Sequence, residues 1–183
     1  MAFADDFRQL VDKFGLAKMV RFSVDIVVES SVFGQTDSTS GEIAVDQGGR
    51  YLAVFGDDRF LYDGKVIWEY VAENNQATRQ VIGEEDTYKN PLAFLKNPEH
   101  YYRWQPVIAD SIYMLHNRDR EDDLLPDSMK VFLSDGQLRL IEYLDINSDL
   151  NRVFISDISL TDTIPPGFFR VSLPDSIQII TLP

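Results

Sequence analysis

Cysteine is absent from the 183 residues, which excludes disulfides, thiolate metal sites and a cysteine nucleophile. That absence leaves the compartment open, because oxidising compartments permit disulfides without requiring them. Histidine is nearly absent too: His100 and His116 are the only two, and neither has a metal-type spacing to another ligand. Cations are scarce, with 17 Lys and Arg against 30 Asp and Glu and a net charge of −13. No basic patch survives that balance, so nucleic acid is not expected as a partner and anionic lipid surfaces would repel the chain. No apolar run approaches the roughly 18 residues of a membrane-spanning helix. Phosphate loops, dinucleotide fingerprints and G-x-S-x-G elbows are also missing. No catalytic residue, cofactor or metal is therefore expected, and the chain does not read as an enzyme. The run Asp145-Ile146-Asn147-Ser148-Asp149 imitates half a calcium loop. Its sixth position is Leu150 and its twelfth Ser156, where glycine and a bidentate glutamate are needed, so a hairpin turn is the better reading.

What is present is enough for a core. Hydrophobic residues make up 44 % of the chain, and this length suits one domain over 1–183 that buries about 70 % of its unfolded surface. Ala2-Phe3-Ala4-Asp5-Asp6 looks like the tail of a secretory cleavage site. From Phe3 to Met19, Phe3, Phe7, Leu10, Val11 and Phe14 recur at helical spacing. The period then changes to two. Phe22, Val24, Ile26 and Val28 alternate with more polar neighbours, and strands are expected over 42–46, 50–55, 59–62, 66–71 and 76–82. Asp63-Gly64 between two apolar runs is a hairpin signal. Asn90 to Lys96 reads as a short helix, with Asn90 as its cap and Pro91 in its first position. Further strands are expected over 111–116, 130–133, 137–144, 152–160 and 169–173. About ten or eleven strands joined by short turns predict a mainly β (α+β) chain. Its single antiparallel sheet would curve strongly into a half-open barrel capped by two helices.

Two short helices must cover the whole apolar side of that sheet. Phe7, Phe14, Leu92, Phe94 and Leu95 are the candidate lid. Phe22, Val24, Ile26, Phe55, Trp68, Tyr70 and Phe154 are the candidate wall. Complete filling would make an ordinary core; rings that prop the lid away from the wall would leave a dry cavity for apolar ligands. Periodicity leaves both open.

The stretch Tyr62-Asp63-Gly64-Lys65-Val66-Ile67-Trp68-Glu69-Tyr70 resembles the D-G-x-x-x-W-x-Y hairpin of the LolA family, the periplasmic carriers of outer-membrane lipoproteins. Gly41-Glu42-Ile43, Asn75-Gln76-Ala77-Thr78 and Asn90-Pro91-Leu92-Ala93-Phe94-Leu95 follow the family's order. Phe169 to Ile179 is similar to its closing segment.

The resemblance implies a half-barrel whose hollow holds acyl chains. It implies a soluble periplasmic carrier, a lipoprotein chaperone with its signal peptide removed. Such a carrier takes an acylated lipoprotein or lipid from an inner-membrane ABC transporter and hands it to an outer-membrane receptor; a monomer is expected. The alternative is an interaction module on the same scaffold, sensing a lipid or peptide to regulate a membrane partner. One departure stands out. The family often has Arg-Pro where this chain has Gln47-Gly48, the Arg bonding the lid shut, and Arg50 is the substitute latch that remains.

Overall fold

The computed structural model describes residues 6–82, 95, 98–119 and 125–182. Helix α1 (Asp6–Leu16) places Phe7, Leu10, Val11 and Phe14 on its buried side, the stripe that helical periodicity demands. Asp6 in its first turn and Lys13 in its last match the helix dipole. The strands that follow are β1 (Met19–Glu29), β2 (Thr36–Asp46), β3 (Tyr51–Phe55), β4 (Asp58–Tyr62), β5 (Val66–Val71) and β6 (Gln76–Val81). After the four-residue helix α2 (Pro98–Tyr101) come β7 (Tyr102–Ile108), β8 (Ile112–Asn117), β9 (Ser128–Ser134), β10 (Gln137–Leu144), β11 (Leu150–Thr161) and β12 (Gln178–Leu182).

All twelve strands form one sheet in the order β12-β6-β5-β4-β3-β2-β1-β11-β10-β9-β8-β7. The sheet is curved and unclosed, as the strand pattern predicts. Pairing is antiparallel throughout except between β12 and β6. Short turns explain the meander. At Asp135-Gly136 both residues have positive φ, 53° and 67°, the geometry of the tight hairpin turn that matches strand twist. In the Asp145–Asp149 turn, Asp145 Oδ1 accepts the amides of Asn147 and Asp149 at 2.9 and 3.1 Å. That carboxylate organises its own turn.

Three strand expectations change. Phe169–Leu173 is not a strand: Phe168 N–H donates to Pro165 O and Arg170 N–H to Gly167 O, both at 3.1 Å, winding the segment into turns. β12 closes the chain instead, further on. β7 was not anticipated, because Pro106 interrupts it; as an edge strand it tolerates a residue without an N–H. β2 also begins earlier, its exposed polar residues Thr36–Ser40 pairing with the outer half of β1. Of the helix expected over 90–96, only Leu95 is among the described residues, and it is buried; Leu92 and Phe94 lie outside them.

The sheet buries apolar side chains on both faces. The face beneath α1 carries the main core, from Val20, Phe22 and Val24 through Val153 and Ile155 to Leu138, Val131 and Tyr113. On the other face a smaller cluster joins Met19, Ala44, Leu61 and Phe169, with Leu52, Trp68, Ile164, Phe168 and Val171 packed against it. The chain after β11 therefore covers the back of the strands nearest β1.

Candidate functional site

The concave face has a roofed part and an arm. Under α1 it is filled. Phe7 lies 5.2 Å from the Tyr113 ring and meets Trp104 edge-on at 5.3 Å. Phe14 meets Phe22 at 5.7 Å and 80°. Four buried side chains of α1 anchor the helix, each worth roughly 1.5–3 kcal/mol of transfer free energy. Arg8 adds a stack 4.9 Å above Trp104 and an ion pair to Glu99 of α2.

Beyond the roof, the concave side of β1 to β4 carries Ile26, Phe55, Phe60 and Tyr62. These four pack against the main core yet are only partly buried. Phe55 and Phe60 meet at 6.0 Å and 65°, and Tyr62 lies 6.2 Å from buried Tyr51. Gly41 makes room for this arrangement. A Cβ there would fall 2.3 Å from the Val54 carbonyl oxygen and 2.4 Å from the Phe55 ring, so only glycine lets that ring lie across β2. The arm is thus an aromatic shelf with few polar demands, suited to hydrocarbon.

The sequence-predicted residues separate into groups. Phe7, Phe14, Phe22, Val24 and Leu95 are buried in the main core, while Ile26 and Phe55 stand at its edge. Trp68 is a correction. It pairs with Leu61 of β4 and packs into the outer cluster, 5.6 Å from the Arg79 guanidinium. Tyr70, two residues on, shares that outer face. Glu69, between them, is the residue on the concave side, opposite Phe60. Phe154 is a second correction: its neighbours Val153 and Ile155 point into the core, and Phe154 itself is 42 % exposed on the far face. Phe60 and Tyr62 were missed. Their signal was the unbroken apolar run on β4, since a strand with apolar side chains on both faces loses its alternation.

Arg50 is the third correction. Its Nε donates to Asp46 Oδ2 at 2.7 Å, its amide to Asp46 Oδ1 at 2.8 Å, and its guanidinium lies 4.9 Å above the Phe169 ring. Among the described residues these contacts commit it to the β2–β3 turn and the outer cluster, away from α1. The roof is tied by Gln47 instead. Its Nε2 donates to Gly15 O at 3.1 Å and its amide to Lys18 O at 3.0 Å. Gln47 thus reaches the helix without a charge.

Two ionisable groups on β10 and β11 are shifted, Tyr143 on the concave side and Arg152 on the outer one. Burial, and then the Asp145 carboxylate, raise the Tyr143 hydroxyl above its ordinary value. Hydrogen bonds to Glu29 and Glu142 raise Arg152, so it stays charged. Both favour the structural protonation state, and neither supplies an acid or base near neutrality. Among the described residues no group of three or more Asp, Glu or His is placed to hold a metal ion. No helix among them is long and apolar enough to cross a membrane.

The fold has known counterparts. An uncharacterized conserved protein from Thermus thermophilus is similar over 96 % of this chain and 98 % of its own, at TM-score 0.57 and 10 % identity. A LolA superfamily protein from Nitrosomonas europaea gives TM-score 0.48 and 12 % identity over 88 % of this chain and 96 % of its own. A putative outer membrane lipoprotein-sorting protein domain from Vibrio parahaemolyticus gives 0.46 and 9 % over 90 % and 95 %. No family model and no curated protein matches the sequence. Identities this low speak to the fold alone, so function has to be argued from the concave face itself.

Proposed function

We propose that the aromatic shelf of β1 to β4 shelters the acyl chains of a lipidated protein, and that the chain is a periplasmic carrier shuttling such cargo from the inner to the outer membrane. On this reading an inner-membrane ABC transporter loads it and an outer-membrane receptor unloads it. One observation carries the proposal. Ile26, Phe55, Phe60 and Tyr62 continue a finished core yet remain partly open, so a guest with no hydrogen-bonding needs can complete the packing.

The energetics suit a carrier. Each methylene moved from water onto such a surface is worth about 0.8 kcal/mol, and an acyl chain brings many. A shelf that covers only part of the chain captures a fraction of that. Transfer to a receptor then needs no large barrier, because a carrier's hold must be weaker than its receiver's. The net charge of −13 keeps the loaded protein off anionic bilayers between the two encounters.

The test is direct. The protein is secreted into the periplasm of a Gram-negative host, purified without detergent and extracted with organic solvent. Acylated peptide or lipid near one equivalent per chain is the expected mass-spectrometric result, reduced when Phe60→Asp is built into the shelf. An empty extract together with no binding of cis-parinaric acid would end the carrier reading.

A further inference from the structure

A second concavity lies on the opposite, outer side of the sheet. It is a cleft of about 550 Å³ between the Asp63–Lys65 turn and the Pro165–Arg170 segment, with Arg50 on its wall. That volume falls in the range of small-molecule sites, roughly 300–1,000 Å³. Its walls are held in place. Pro165 and Pro166 fix the backbone, and the two turn hydrogen bonds at 3.1 Å hold Phe168 and Arg170. Asp63 Oδ1 accepts the amides of Lys65 and Val66, both at 2.9 Å, and so sets the facing turn. Side-chain stems add to this: a Cβ at Gly64 would lie 3.7 Å from Arg50 Cγ, and one at Gly167 3.7 Å from Arg170 Cδ.

The charge of the cleft opposes that of the molecule. In a chain of net charge −13, it gathers Arg50, Lys65 and Arg170 around a single carboxylate, Asp63. Asp63 already serves backbone amides, and Arg50 is paired with Asp46. Lys65 and Arg170 have no ion-pair partner among the described residues, and both are exposed at the mouth. The floor is apolar, built from Ile164, the two prolines and the Phe168 and Phe169 rings, which meet at 5.0 Å.

We propose that this cleft binds a small organic anion, a phosphate or carboxylate carried on a flat apolar body. The anionic head would take the free donors of Lys65 and Arg170, and the body would lie on the prolines and Phe168. Binding is non-covalent and independent of the acyl shelf, which occupies the other face of the sheet. A free metabolite and a phospholipid headgroup with its first methylenes share this chemistry, and the experiment separates them.

Phenyl phosphate is titrated into the labelled full chain and followed by amide NMR, beside inorganic phosphate and benzyl alcohol. Saturable shifts at Gly64, Lys65, Gly167 and Arg170 are expected, with phenyl phosphate binding more tightly than either fragment. The double variant K65Q/R170Q should weaken it by about tenfold, as loss of two exposed cations implies. R103Q, an exposed cation of the β7 edge, should leave it unchanged. A thermal melt of the double variant matching wild type excludes misfolding. Sedimentation with phosphatidylglycerol–phosphatidylcholine vesicles decides the source: retention abolished by K65Q/R170Q assigns a headgroup, and phenyl phosphate binding without retention assigns a free anion. Absence of saturable shifts, equal affinity for phenyl phosphate and benzyl alcohol, or indifference to K65Q/R170Q would overturn the proposal.

Discussion

The part of the concave face beneath α1 and the partly open arm beside it are built from the same residue classes and end differently. Beneath α1, Phe7, Tyr113, Leu115, Val131 and Ile141 are sealed. Along β3 and β4, Phe55, Phe60 and Tyr62 alternate toward the same side and stay partly open. Composition does not separate the two. A helix with four buried anchors completes one, and among the described residues nothing equivalent completes the other. Among the described residues, what separates the sealed part from the partly open one is the covering helix, which is a property of topology rather than of any single strand.

That contrast can be broken by mutation. The largest effect is expected at the roof. Phe7→Ala removes a fully buried ring and should cost about 3–5 kcal/mol of stability, seen in chemical unfolding. Next comes the shelf's foundation: Gly41→Ala sets a methyl against the Val54 carbonyl and the Phe55 ring. It should cost about 1–3 kcal/mol and, by displacing Phe55, lower acyl-probe affinity as well. A pair of similar losses at Phe7 and Phe60 would erase the difference between roof and shelf.

The smallest effect concerns pH. Tyr143 stands at the margin of the core, and burial raises its hydroxyl above the ordinary 10.0. Its folded-state value exceeds its unfolded one, so its contribution is complete below pH about 10 and lost as pH rises through the folded value. The melting temperature should therefore decline above that pH, and Tyr143→Phe should flatten the decline. A decline identical in both proteins would remove Tyr143 as its cause.

Much of this was legible in the sequence. The stripe Phe7, Leu10, Val11, Phe14 and the period-two run from Phe22 to Val28 specify α1 and β1, because each has one apolar side to bury. Asp63-Gly64 and Asp135-Gly136 mark turns through backbone chemistry that few other pairs allow. Trp68 was misplaced for a physical reason. β4 and β5 carry apolar side chains on both faces, so alternation no longer tells inside from outside, and the segment that covers the outer one, Ile164 to Val171, lies about a hundred residues away in sequence. Phe154 failed differently: alternation on β11 was clear, but a large ring was read as inward where Val153 and Ile155 already hold that side. Gly48-Gly49 marks the turn between β2 and β3, but that this turn sets Arg50 against Asp46 follows from its folded geometry, which no residue pattern announces.

The most direct test of the shelf sets its two faces against each other. Cis-parinaric acid is titrated into wild type, Phe60→Asp and Phe154→Asp, with thermal melts to confirm that all three are folded. An inward carboxylate should weaken binding by about tenfold or more, the equivalent of roughly 1.4 kcal/mol, while the outward one leaves it within error. Equal losses at both positions, or none at either, would contradict acyl binding on the concave arm.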